Sequence, residues 1–249
     1  MLIGYPHGLG DVIMLTPALR ELHNRGVQVD LAVLPRVIES DLLKRCPYVE
    51  HLYPVLDPWR GGVVAPRISE AKECVAKLDE AATFIWHDRR TPKVALNCRA
   101  LGVSPSSFHL EVFISDDDRK QAAEWLSHLW LDGEYGFVHG KTGVPKKCLP
   151  NGWGHEWLQN RGLERVVEVG VEFRVDELPI NVQFEIMRRA TAVVVIDSVF
   201  YHAAHAMLKP IDLAYFGKGR RGYDRVVPLG LKAQENVVFG LKQLHGCYH

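Results

Sequence analysis

The stretch AVVVIDSVFYHAAHAML, residues 192–208, decides the fold. Its first five residues are apolar and four of them are β-branched, the composition of a buried strand. Asp197 and Ser198 then occupy a turn, and the apolar residues beyond them predict a helix. The free amides of such a helix point outside the carboxyl edge of the strand, where ligands bind in open α/β sheets. His202 falls one helical turn after Ser198, which puts both on the same crevice. A plainer alternative gives Asp197 or Ser198 a capping role and packs His202 against the sheet.

The same grammar opens the chain. MLIGYP (1–6) reads as a strand, HGLGD (7–11) as a glycine turn, and Val12, Leu15, Leu19 and Leu22 recur at helical spacing over residues 11–25. VQVDLAVLP (27–35) is a second strand, IESDLLKRC (38–46) is helix-like, and a third strand lies near YVEHLYPV (48–55). This βαβαβ alternation favours a parallel sheet. A Pro/Gly-rich loop at 57–67, a helix over 68–81, the strand TFIWH (83–87), the helix KVALNCRALGV (93–103) and the strand FHLEVFI (108–114) are expected next. SDDDRKQAAEWLSHLW (115–130) reads as a helix capped by Ser115, its first turn filled with acids that suit the helix dipole.

From there the βα rhythm restarts. YGFVHG (135–140), ERVVEVG (164–170) and IDLAYFG (211–217) are strands, while GHEWLQNRG (154–162) and VQFEIMRRA (182–190) are helical. The expected division is 1–120 and 121–249, each half a Rossmann-like domain.

Composition narrows the function classes. Thirty Lys and Arg balance thirty Asp and Glu in 249 residues, which gives the whole chain no strong electrostatic attraction to nucleic acid or anionic membrane. Five widely spaced cysteines without a CxxC pair predict reduced thiols in a cytosolic protein. No signal peptide and no bilayer-length apolar run are read, which leaves peripheral contact with an inner membrane face open. GLGD lacks the third glycine of the dinucleotide fingerprint, and no Walker lysine follows it. A nicotinamide-dependent oxidoreductase is therefore a distant reading, and the turn taken alone is as well explained by Asp11 serving a helix N-terminus.

Taken together, GLGDVIMLTPALREL (8–22) and IDSVFYHAAHAMLKPIDLAYFG (196–217) resemble glycosyltransferase family 9, the heptosyltransferase-like group. The first stretch resembles that family's opening strand, turn and helix; the second resembles its NDSGPxHLAAALGKPxxALFG pattern. Asp197, Ser198, His202, Ala204, Lys209, Pro210, Phe216 and Gly217 fall in register. FVHGKTGVPKKCLPNGW (137–153) is similar to its HPGA…KRWP region. Val199 stands where the family has glycine, and Cys148 and Leu149 replace the usual aromatic context.

The resemblance implies a GT-B fold, two Rossmann-like parallel-sheet domains facing a cleft. It implies inverting transfer from a nucleotide-diphosphate sugar to an acceptor hydroxyl, with neither metal nor other cofactor. Asp11 is then the general base, with Gly8 and Gly10 clearing space on the acceptor side. The diphosphate lies at Ser198 and Val199, beside Asp197, Thr142, His202 and a lysine, Lys146 or Lys147, and Glu172 is the candidate for the donor ribose. Trp59 and Arg220 are acceptor-side candidates, for stacking and for an anion. The acceptor is a glycan, a lipid-linked saccharide or a hydroxylated nucleic-acid base. A catalytically silent nucleotide-sugar-binding protein of the same fold is the alternative. Asp116, Asp117 and Asp118 read as capping residues rather than a metal motif, and the pair His202 and His205 lacks a third zinc ligand nearby.

Overall fold

The computed structural model describes residues 1–54, 91–170, 175–217 and 237–238. Trp59, Glu172 and Arg220, and the helix and strand expected between 68 and 87, lie outside the described residues. The chain forms two compact units. The described part of the first ends at Phe113, and the second starts at Ile114 and includes Val237–Val238. The 120/121 division drawn from sequence runs through a helix of the second unit.

In the first unit β1 (Leu2–Tyr5), β2 (Asp30–Val33) and β3 (His51–Pro54) form a parallel sheet in the order β1-β2-β3. Its register pairs Leu2 with Asp30 and Asp30 with His51. The single helix expected over 11–25 is two: α1 (Leu9–Ile13) and α2 (Thr16–Asn24). Pro17 has no N–H to give the Ile13 carbonyl, and the Thr16 hydroxyl donates to that carbonyl instead at 2.8 Å. After β2 the helix α3 (Pro35–Glu39) is shorter than IESDLLKRC suggested, because Asp41 turns into the left-handed region at φ 58°. The remaining helix of this unit among the described residues is α4 (Lys93–Ala100).

FHLEVFI is not a strand. Its backbone is held by side chains of α2: the Glu111 N–H donates to Thr16 Oγ1 at 3.0 Å and Arg20 donates to the His109 carbonyl at 3.2 Å. Arg20 also pairs with the Glu111 carboxylate at 3.1 Å. With the Glu111 N–H and the His109 carbonyl engaged this way, the run pairs with no strand among the described residues.

The second unit opens with α5 (Asp116–His128), and the expected cap is present in full. Ser115 Oγ accepts from the Asp118 N–H at 3.1 Å, and the Asp118 carboxylate accepts from the Ser115 N–H at 2.8 Å. Five parallel strands follow: β4 (Gly136–His139), β5 (Val166–Glu168), β6 (Ala192–Ile196), β7 (Leu213–Tyr215) and β8 (Val237–Val238). They alternate with α6 (Trp153–Gln159), α7 (Ile180–Arg189) and α8 (Val199–Ala206).

The sheet order is β5-β4-β6-β7-β8. The chain leaves β4 toward one edge and returns past it to build the other, so the winding reverses between β4 and β6. In open α/β sheets that reversal opens a crevice outside the carboxyl ends of the two strands. The run that decides the fold lies at its side: every residue of β6 is buried, and Ala192, Val194 and Ile196 share a core with Val138, Trp153, Trp157, Leu158 and Leu213. Helix α6 approaches β4 closely through Gly154, where a Cβ would lie 2.7 Å from Val138 Cγ1.

Candidate functional site

At the carboxyl edge of the second sheet, His139 ends β4 beside Val195 of β6, so the two strands deliver their following turns to one place. The β6 turn is Asp197 and Ser198, leading into α8. Lys147 reaches it from the loop after β4. Its ammonium lies 2.7 Å from Asp197 Oδ2 and donates to the Asp197 carbonyl at 3.3 Å, and the two side chains are only 19% and 10% exposed. Lys147 is therefore a cation already matched by a buried carboxylate. Lys146 precedes it in the short 3-10 turn Pro145–Lys147.

That loop is closed on itself. The Leu149 N–H donates to the Gly140 carbonyl at 2.8 Å, and the Cys148 thiol spans its middle. Cys148 Sγ accepts from the Thr142 N–H and donates to the Thr142 carbonyl, both at 3.3 Å. Thr142 is thus held by a residue that, read as sequence, only marked a departure from the family pattern.

Ser198 and Val199 are half-buried at the start of α8, whereas His202 is 3% exposed and His205 4%. His202 meets Tyr201 edge to face at 5.6 Å, and Tyr201 is wedged in turn between His205 and Phe216.

His139, which the sequence did not single out, joins the β4 and β6 ends here. Its Nδ1 lies 3.0 Å from Ser198 Oγ, and its ring packs on Phe200 with centroids 4.4 Å apart. Burial of the ring pushes the imidazole down to about 4, which leaves it neutral at physiological pH. Because an unfolded histidine titrates near 6.5, the unfolded chain takes up this proton first as pH falls. Stability is fully present above about pH 6.5 and drains as pH drops toward 4, by about 3 kcal/mol from this group. Urea unfolding of the wild type and of His139→Phe at several pH values checks this: the difference between them should shrink across that window.

The glycine turn of the first unit gathers a second set of groups. Gly8 is the N-cap of α1 without a side-chain cap, Gly10 lies within α1, and Asp11 completes its first turn. Lys93, the first residue of α4, donates to Asp11 Oδ1, with side-chain exposures of 13% and 25%. The buried Tyr5 hydroxyl lies 3.2 Å from Asn97 Oδ1 and 3.3 Å from the Asp11 carbonyl, and Asn97 Nδ2 donates to the Met14 carbonyl at 3.1 Å. Burial, and after it the charge of Asp11, push the Tyr5 phenol up, so it stays a proton donor. A Cβ on Gly8 would stand in ordinary contact, 3.7 Å from Asp11 Oδ2 and 3.8 Å from Arg36 Nη2.

Among the described residues, one set of metal-ligand type comes together: Asp30, Glu50 and His51, with candidate ligand atoms within 4.8 Å of one another. It stands at the amino ends of β2 and β3, the opposite edge from Asp11, and His51 Nδ1 already lies 2.8 Å from Asp30 Oδ1. Among the described residues no helix is long and apolar enough to cross a membrane.

No protein-family model matches the sequence, and no curated protein does. Solved structures do. The chain is similar to a glycosyl transferase family 9 protein from Veillonella parvula, with 16% identity over 96% of this chain and 86% of that one and a TM-score of 0.68. It is similar to the E. coli heptosyltransferase WaaC solved with ADP, with 16% identity over 98% and 94% and a TM-score of 0.60. It is also similar to the E. coli ADP-heptose LPS heptosyltransferase II, with 16% identity over 98% and 93% and a TM-score of 0.58. The fold is thus the two-sheet α/β fold of these family 9 structures, shared over nearly the whole chain.

Proposed function

We propose that this protein is an inverting glycosyltransferase that takes its sugar from a nucleoside-diphosphate donor. The observation that carries the reading is the place of α8. Its N-terminus lies at the carboxyl end of β6, where the winding of the second sheet reverses, and no side chain caps it. Uncapped first-turn amides with the positive end of a helix dipole suit a diphosphate. The likeness to the E. coli heptosyltransferase solved with ADP supports the same assignment.

In this reading the second unit binds the donor and the first unit serves the acceptor. Asp11, paired with Lys93, accepts the proton of the acceptor hydroxyl as its oxygen attacks the anomeric carbon. The bond from that carbon to the diphosphate oxygen breaks, and the nucleoside diphosphate leaves with the electron pair. The amides of Ser198 and Val199 and those of Phe200 and Tyr201 in the same first turn of α8 stabilise the charge that develops on it, beside Thr142 and the pair Lys147 and Asp197. Attack and departure on opposite faces invert the anomeric centre. The acceptor is a hydroxyl-bearing glycan, lipid-linked saccharide or nucleic-acid base.

Melting of the protein with ADP, UDP and GDP tests donor binding. One of them, at about a hundredfold excess over its Kd, should raise Tm by about 5–10 °C. No shift with any of the three overturns the donor-site assignment. Val199, in place of the family glycine, favours a second reading, a silent nucleotide-sugar-binding protein. Slow hydrolysis of a bound donor sugar decides against it.

A further inference from the structure

Ser198 is the N-cap residue of α8, yet its side chain makes no capping hydrogen bond. A serine in this position ordinarily accepts from the N–H of the second or third helical residue, here Phe200 or Tyr201. Its extended backbone, φ −150° and ψ −178°, is of the type that N-caps adopt, so the backbone does not forbid the bond. The hydroxyl is instead engaged by His139 Nδ1 at 3.0 Å.

His139 is well placed to enforce that choice. It ends the neighbouring strand β4, and its ring lies on Phe200, a residue of the same helix, at a centroid distance of 4.4 Å and an interplanar angle of 32°. Phe200 is itself fixed by Phe137 and Phe184, at 5.5 Å and 5.4 Å. The imidazole is neutral, so it adds no positive charge for a phosphate, and what it offers the site is geometry.

We propose that His139 is a positioning residue of the donor site: it holds the Ser198 hydroxyl away from the first-turn amides of α8 and so keeps those amides open to the donor diphosphate. The inference rests on the reading that this helix end binds the donor. Without His139, Ser198 swings onto the Phe200 or Tyr201 amide and competes with the ligand for it.

The test is a double-mutant cycle read by calorimetric titration of the full chain with ADP. His139→Phe keeps a ring over Phe200 and deletes Nδ1. It should weaken ADP by about fivefold, the worth of one serine cap. In the Ser198→Ala background the same substitution should cost nothing, since no hydroxyl remains to compete. His139→Asn, whose δ atoms replace Nδ1, should rescue the affinity of His139→Phe. A loss on His139→Phe that persists in the Ser198→Ala background overturns the proposal, and so does unchanged affinity in His139→Phe. If the phenylalanine is not accommodated, His139→Ala carries the same comparison.

Hydrogen exchange of the nucleotide-free protein separates this inference from the donor-site reading. Exchange of the Phe200 and Tyr201 amides should slow in His139→Phe and return to the wild-type rate when Ser198 is also alanine. Unchanged exchange there overturns the role given to His139 whatever ADP does. A wild type that binds none of ADP, UDP or GDP overturns the donor site itself.

Discussion

Replacing Asp11 by asparagine is expected to lower sugar transfer by about 10²- to 10⁴-fold, the usual worth of a general base, while ADP still binds. The asymmetry follows from where the groups lie. Asp11 belongs to the first turn of α1 in the first unit, and the groups assigned to the diphosphate belong to the second. Lys93 complicates the experiment: only 13% of its side chain is exposed, and Asp11→Asn leaves that ammonium facing a neutral amide. A partly buried charge that loses a facing carboxylate destabilises the fold, so lost activity alone would not identify the base. Asp11→Asn with Lys93→Met removes both charges and should melt near the wild type while staying inactive. Transfer retained by either variant, measured with a donor that shifts Tm, removes Asp11 from the base role.

The local pieces of this protein were legible in its sequence because each is written in adjacent residues. AVVVI became the fully buried β6, and Ser115 caps α5 as its place before the acidic turn predicted, with Asp118 returning the bond. Misreadings arose where one residue overrules a pattern. The apolar spacing over 11–25 is continuous, but Pro17 cannot complete the hydrogen-bond ladder and the helix divides. FHLEVFI has the composition of a strand, and Thr16 and Arg20 claim its backbone first.

The side chains that organise the two candidate sites were the least legible. Lys93 meets Asp11 across 82 residues, Lys147 meets Asp197 across 50, and His139 meets Ser198 across 59. Such pairs follow from which strand ends lie together, which sheet order fixes and local spacing does not. The family resemblance drew Lys147 and Asp197 into one site, but it did not show that they neutralise each other there.

That neutralisation makes Lys147→Met the second substitution with a large expected effect. It leaves the Asp197 carboxylate, 10% exposed, without its cation, and breaking such a pair costs about 3 kcal/mol. For a chain of this size the loss lowers Tm by about 6–12 °C. Adding Asp197→Asn should restore most of the stability, because a buried charge without a partner costs more than an absent pair. ADP binding should not return with it. Lys147 ties the loop that carries Thr142 to the β6 turn through the Asp197 carboxylate and carbonyl together, and methionine offers neither bond. Affinity and stability should therefore separate: the double variant melts near the wild type and binds ADP about tenfold more weakly, the worth of a lost charge-assisted hydrogen bond. Recovery of both would mean that Lys147 serves the fold alone, and the cation facing the diphosphate would have to be sought elsewhere in the chain.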